Sequence, residues 1–111
     1  MDRNLFLARL RDEVLIVYGV VGTLHQANWL KAGQPPELLN FEKPGSIFRI
    51  HRESIRAGAD VIVANTLRAN RFQLTQLGLE KETRRINLRG VEIAKKASNG
   101  RASIAVEIGP I

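Results

Sequence analysis

Apolar positions along this chain fall into two kinds of segment: short uninterrupted runs, and longer stretches with helical spacing. Val14-Leu15-Ile16-Val17-Tyr18 is a β-branched run without a polar break, the pattern of a strand covered on both faces in a parallel sheet. Val61-Ile62-Val63-Ala64 and Ile104-Ala105-Val106 repeat it. From Ser46 the period changes: Ile47, Ile50 and Ile55 share a helix face with His51 and Ser54, and Gly58 is placed to stop the helix. Glu80 to Ala97 predicts a longer helix with Ile86, Gly90, Ile93, Ala94 and Ala97 on one stripe. Glu80 and Glu82 suit its positive N-terminal end and Lys95 and Lys96 its C-terminal end, before Ser98-Asn99-Gly100 ends it. Two shorter helices are predicted, one around Leu5, Leu7 and Ala8 capped by Asp2 or Asn4, the other around Phe72, Leu74 and Leu77 up to Gly78. Gln34-Pro35-Pro36 and Lys43-Pro44-Gly45 punctuate a long connection that holds Trp29, Leu38, Leu39 and Phe41.

The resulting order, β-α-β-α-β with buried-type strands, predicts the α/β class and a parallel sheet with right-handed crossovers. Both doubly wound sheets and (β/α)8 barrels begin this way. The third strand is followed almost at once by Ile111, with no helix to cover it. A complete barrel takes about 250 residues. Residues 1–111 are therefore expected to form one unit without an internal boundary, the first part of an incomplete (β/α)8 TIM barrel.

Composition narrows the chemistry. The chain has 111 residues, 44% of them hydrophobic and 25% charged, which are ordinary globular fractions. It has no cysteine, which excludes disulfides, thiolate zinc sites, iron–sulfur clusters and a cysteine nucleophile from these residues. Lys+Arg 17 against Asp+Glu 11 leaves +6, but the cations are scattered, Arg84, Arg85 and Arg89 being the densest group. No zinc-finger spacing, RNA-recognition motif or glycine–arginine run accompanies them, so no nucleic-acid partner is expected. Arg3, Arg9 and Arg11 before the first apolar run superficially resemble a signal peptide. Asp12 and Glu13 abut that run, and no small-residue cleavage site follows it. It is also shorter than the roughly 20 residues of a membrane span. A cytoplasmic protein with no membrane partner is expected.

In parallel α/β folds, ligands gather at the carboxyl ends of the strands. Three segments fall there. Gly19, Gly22 and Thr23 form either a tight turn or a cradle of N–H and hydroxyl groups for an anion. Asn65 and Thr66 either bond substrate or tie down the loop that they begin. Glu107 either faces substrate or lies on an exposed edge, since a lone buried charge is costly. His51 reads as a helix–sheet packing residue, and His25 has no recognisable partner. Spacing assembles no nucleophile–base pair, so no catalytic residue is assigned.

Taken in order, these segments resemble the homocysteine S-methyltransferase family, whose homocysteine-binding domain is a (β/α)8 barrel. Val14-Leu15-Ile16-Val17-Tyr18-Gly19-Val20-Val21-Gly22-Thr23 is similar to the family's first strand and its Asp-Gly-Ala-Met-Gly-Thr turn. Glu37-Leu38-Leu39-Asn40, Lys43-Pro44, Ile50-His51-Arg52 and Ala57-Gly58-Ala59-Asp60-Val61-Ile62 continue it. Ala64-Asn65-Thr66-Leu67-Arg68-Ala69-Asn70, Leu77-Gly78-Leu79-Glu80, Ile86-Asn87 and Ile108-Gly109-Pro110 complete it. The resemblance implies methyl transfer to the sulfur of homocysteine, giving methionine, with homocysteine and a methyl donor as partners. The family's donors include methylcobalamin, methylated sulfonium compounds and betaine, and the sequence does not choose among them.

The resemblance also implies a zinc ion that holds the homocysteine sulfur as a thiolate. Its cysteine ligands lie on later strands of the barrel, so this chain cannot bind that zinc. Gly19, Gly22, Thr23, Asn65, Thr66 and Asn70 match the family pattern. Tyr18 stands where the family has an Asp that meets the substrate ammonium group; Ala64 and Leu67 replace Thr and Phe, and Arg68 replaces Gly. The expectation is an N-terminal piece of a divergent member, inactive alone. The competing reading is a non-catalytic α/β module that self-associates through exposed strand edges or binds an anion.

Overall fold

In the computed structural model, residues 2–20 and 33–109 are described. Three parallel strands, β1 (Val17–Tyr18), β2 (Val61–Val63) and β3 (Ser103–Ala105), form one open sheet in that order. Val61 is the common register point, opposite Val17 on one side and Ser103 on the other. Helix α1 (Arg3–Asp12) precedes β1, a single turn α2 (Leu39–Glu42) and α3 (Pro44–Arg56) lead into β2, and α4 (Arg71–Thr75) and α5 (Thr83–Ser98) lead into β3. Parallel neighbours need crossovers of this length, and helices supply them here. The predicted α/β class, the alternation of strands and helices along the chain and the parallel sense are all present. No helix among the described residues is long and apolar enough to cross a membrane.

The long helices form for the reasons that their sequences suggest. Pro44 opens α3, where its missing N–H has no intrahelical partner to lose. The predicted stripe Ile47, Ile50, His51 and Ser54 is the buried one. Gly58, at φ +108°, takes the chain off the helix through backbone space that L side chains avoid. In α5 the buried residues are Ile86, Gly90, Ile93, Ala94, Ala97 and Ser98, and Asn99 ends the helix in the left-handed conformation that Asn tolerates. Asp2 caps α1 by accepting the Leu5 N–H at 2.8 Å, and Asn70 caps α4 by accepting the Gln73 N–H at 2.8 Å.

These stripes meet in three apolar clusters. Ile62, Ala64 and Ala94 seat α5 on the sheet, with Ile55 and Ile104 against them. Leu39, Ile47, Ile50 and Ile93 join α2, α3 and α5 beneath Val20. Ala69, Leu74 and Ile86 hold the loop after β2 under Leu38 and Phe41. Each fully buried Leu or Ile is worth about 1.5–3 kcal/mol.

Four expectations are corrected. The strand predicted at Val14–Tyr18 pairs only at its last two residues, and it is not covered on both faces: Val14 is 90% exposed and Val17 58%. Burial of such a run depends on elements packed over both faces, which the run itself does not specify, and among the described strands β1 pairs with β2 alone. The third strand is Ser103–Ala105, leaving Val106 exposed beyond it. The helix predicted from Glu80 begins with a 3-10 turn at Glu80–Glu82 before α5. The connection between the prolines is partly helical, with a 3-10 turn at Pro36–Leu38 running into α2. Trp29 lies outside the described residues.

No residue of α1 is buried, so its leucines do not anchor it. Polar contacts do that work. Arg9 Nη2 donates to Asp60 Oδ1 at 3.0 Å and Arg9 Nε to Glu13 Oε2 at 3.1 Å. The other Asp60 oxygen accepts the Ile16 N–H at 3.0 Å, while the Ile16 carbonyl accepts the N–H groups of Asp60 and Val61. The Ile16 N–H first, and the Arg9 guanidinium second, hold the Asp60 carboxyl below its ordinary value of 3.8.

Candidate functional site

The carboxyl ends of β2 and β3 carry a buried polar knot. Asn65, directly after β2, donates from Nδ2 to the Pro36 carbonyl at 2.9 Å and to Asn40 Oδ1 at 3.1 Å. Asn40 answers from α2, its Nδ2 donating to the Asn65 carbonyl at 3.0 Å and to the Ile86 carbonyl at 3.3 Å. Both amides are buried, so each bond replaces one that water would otherwise make. Together they join the loop after β2 to α2, to the Pro36 turn and to α5.

Thr66 forms a second tie. Its Oγ1 donates to the Glu107 carbonyl at 3.0 Å and accepts the Glu107 N–H at 3.1 Å. One hydroxyl thereby pins the exit of β3 to the exit of β2. Glu37 forms a third: fully buried, it accepts the Arg68 N–H at 2.7 Å through Oε1, and its Oε2 has no hydrogen-bond partner among the described residues. Asn65 Oδ1 is likewise buried without a partner among those residues.

Two glycines let backbone elements close on this knot. A Cβ at Gly90 of α5 would lie 2.9 Å from Asn40 Nδ2 and 3.0 Å from the Asn65 carbonyl oxygen. A Cβ at Gly109 would overlap the Leu67 carbonyl oxygen. Only hydrogen fits at either place.

Of the predicted site residues, Asn65, Thr66 and Glu107 come together, lining one small cavity with Val20, Val63, Ala64 and Leu67. Its volume is about 10 Å³, room for one water at most. Gly19 sits just before Val20, with open space around its Cβ position. Gly22, Thr23 and His25 lie outside the described residues. The loop-tying alternative describes the Asn65 amide nitrogen and the Thr66 hydroxyl, since the first is spent on the Pro36 carbonyl and the Asn40 side chain and the second on the Glu107 main chain. Glu107 is half-buried and takes part through its main chain. His51 is buried on α3, where burial lowers its imidazole to about 4.

The sequence places Glu37 and Asn40 in a segment similar to the family's but assigns neither a role in the site. Their signal is the apolar spacing of Leu38, Leu39 and Phe41 after Pro35-Pro36, which marks a helical turn with one face inward.

A metal does not fit the side chains present. Among the described residues no group of three or more His, Cys, Asp or Glu converges to hold an ion, and the whole sequence has no cysteine. The chain brings no thiolate to a zinc coordination sphere.

A parallel β-α-β-α-β sheet with polar side chains gathered where its strands end has the organisation of a (β/α) fold. The chain belongs to the homocysteine S-methyltransferase family: the sequence profile of that family matches residues 15–111. The metallated form of the homocysteine methyltransferase MmuM from Escherichia coli superposes with a TM-score of 0.72 and 22% identity, over 93% of this chain and 40% of that one. Its oxidized form gives 0.70 and 22%, over 88% and 39%. The likeness defines the fold, that of part of a (β/α)8 barrel with its sheet open. This chain spans about 40% of that enzyme's length.

Proposed function

We propose that residues 1–111 are the N-terminal portion of a homocysteine-binding (β/α)8 domain, one unit without an internal boundary, in a cytoplasmic homocysteine S-methyltransferase. The reaction joins the homocysteine sulfur to a methyl carbon as the bond from that carbon to the donor breaks, its electron pair staying with the donor; the product is methionine. The observation that carries this reading is the family match over 15–111.

Within it, Gly19, Gly22, Thr23, Asn65, Thr66 and Glu107 form this chain's share of the substrate rim. Asn65 Oδ1 supports that role, being a buried acceptor without a partner among the described residues and suited to an ammonium donor. Tyr18 offers no negative charge there, because a phenol is neutral near pH 7. The chain alone does not transfer methyl groups, since the thiolates that hold zinc in the family come from elsewhere. When bound, zinc keeps the substrate sulfur ionised and oriented.

Two measurements test this. Titration of the labelled chain with homocysteine should shift the Asn65, Thr66 and Glu107 amide resonances; unmoved resonances at millimolar ligand would remove the rim from the reading. Incubation with zinc, homocysteine and each donor class should give no methionine, and methionine made by this chain alone would overturn the proposed division of labour.

The exposed apolar residues at the sheet margins favour a second reading, self-association through strand edges. Ile16, Val17, Val106 and Ile108 are all more than half exposed. Light scattering decides this reading.

A further inference from the structure

A further cavity lies at the opposite end of the sheet from the polar knot. It has a volume of about 520 Å³ and opens beside the first residues of β2 and β3, under the start of α1. Phe6, Val61 and Ile104 supply apolar wall. Arg3 and Lys95 stand on its rim, both exposed, and neither forms an ion pair with a described residue. Asp2, the one carboxylate there, already accepts the Leu5 N–H. Ser103 Oγ is buried within the lining and has no hydrogen-bond partner among the described residues.

We propose that this cavity binds a medium-chain aliphatic carboxylate, its tail along Phe6, Val61 and Ile104 and its head group between Arg3, Lys95 and the Ser103 hydroxyl. The volume lies in the usual range for small-molecule sites, about 300–1,000 Å³. Two cations against one occupied carboxylate select a monoanion. The buried hydroxyl supplies the directional donor that an apolar slot otherwise lacks. A neutral amphiphile would leave both cations unanswered, and an amine would meet them as like charges. This site is independent of the methyl-transfer reading, because it uses the amino ends of the strands and none of the rim residues.

The test is a titration of the labelled full chain with octanoate at low salt, with octanol and octylammonium in parallel. Octanoate should give saturable shifts confined to Phe6, Val61 and the 102–105 amides, and octanol should bind about tenfold more weakly. Lys95→Gln and Arg3→Gln, both on the surface, should each weaken octanoate several-fold without moving the melting temperature, and Ser103→Ala should do the same. Equal binding of octanol and octanoate would overturn the proposal. So would shifts centred on Val14, Ile16 and Ile108, which would show adhesion to exposed apolar surface. No saturation at any concentration below micelle formation would also end it.

Discussion

Gly90 shows how much one missing methyl group decides here. Alanine is the better helix former, by about 1 kcal/mol in a free helix. At this position, however, the new Cβ meets a buried amide and a backbone carbonyl at about van der Waals overlap, and both are fixed by the Asn40–Asn65 bonds. Overpacking costs about 1–3 kcal/mol, so it outweighs the helix gain. We predict that Gly90→Ala lowers stability by about 1 kcal/mol in urea titration, the middle of the overpacking range less the helix gain. An unchanged or stabilised variant would mean that α5 is not held this close to the knot.

His51 makes a second prediction at the same scale. Its imidazole is buried on α3, and its Nε2 has no hydrogen-bond partner among the described residues. Burial lowers its value from 6.5 to about 4 in the folded chain. The unfolded chain therefore binds the proton first as pH falls, and stability declines from pH 6.5 to about 4 before levelling. His51→Leu, of similar volume, removes the group that titrates. Urea midpoints at pH 7 and pH 5 should differ by less in this variant than in the parent chain. Equal slopes would place the acid sensitivity in another group.

Among the elements, α1 is held by ions where α3 and α5 are held by apolar stripes. Asp60 takes the Ile16 N–H on one oxygen and Arg9 on the other, so one carboxylate ties α1 and β1 to the start of β2. Its lowered value gives the sign. The tie contributes above the ordinary 3.8 and is lost as pH falls through the lower folded value. Asp60→Asn should melt below the parent chain at pH 7, and the gap should close in acid beneath the folded value. A gap that persists there would assign the loss to packing instead.

The same comparison of elements explains what could be read from the sequence. Helices α3 and α5 were legible because the spacing of Ile47, Ile50 and His51, and of Ile86, Ile93 and Ala97, carries its own periodicity. Strand β2 was legible because three consecutive β-branched residues are buried on both sides. The run at Val14–Tyr18 has the same local signature, yet its burial depends on partners that local sequence does not specify. Glu37 and Asn40 failed for the converse reason: their types suggest solvent, and only the carbonyls of Asn65 and Ile86 and the N–H of Arg68 make their burial intelligible. In the site, the positions of Asn65 and Thr66 were foreseen. The division of the Asn65 amide between loop support and free acceptor needed three dimensions.

For the whole molecule, the open sheet sets the last expectation. Among the described strands β1 and β3 each have one paired side, and their flanking apolar residues face solvent. Unpaired edges of this kind template contact with another chain unless charge or cover prevents it. The net charge of +6 opposes that contact by repelling identical copies, and salt screens the repulsion. A two-fold contact would also set an edge against its own copy in antiparallel sense, unlike the parallel pairing inside the sheet. We therefore predict that the mass from light scattering rises above 12.4 kDa with concentration, and more steeply at high salt than at low. Ile16→Lys and Val106→Lys place a charge on each margin and should return the chain to its monomer mass. If the parent chain stays monomeric at every salt concentration, the edges do not pair. If association weakens as salt rises, attraction between charges drives it and the apolar margins play no part.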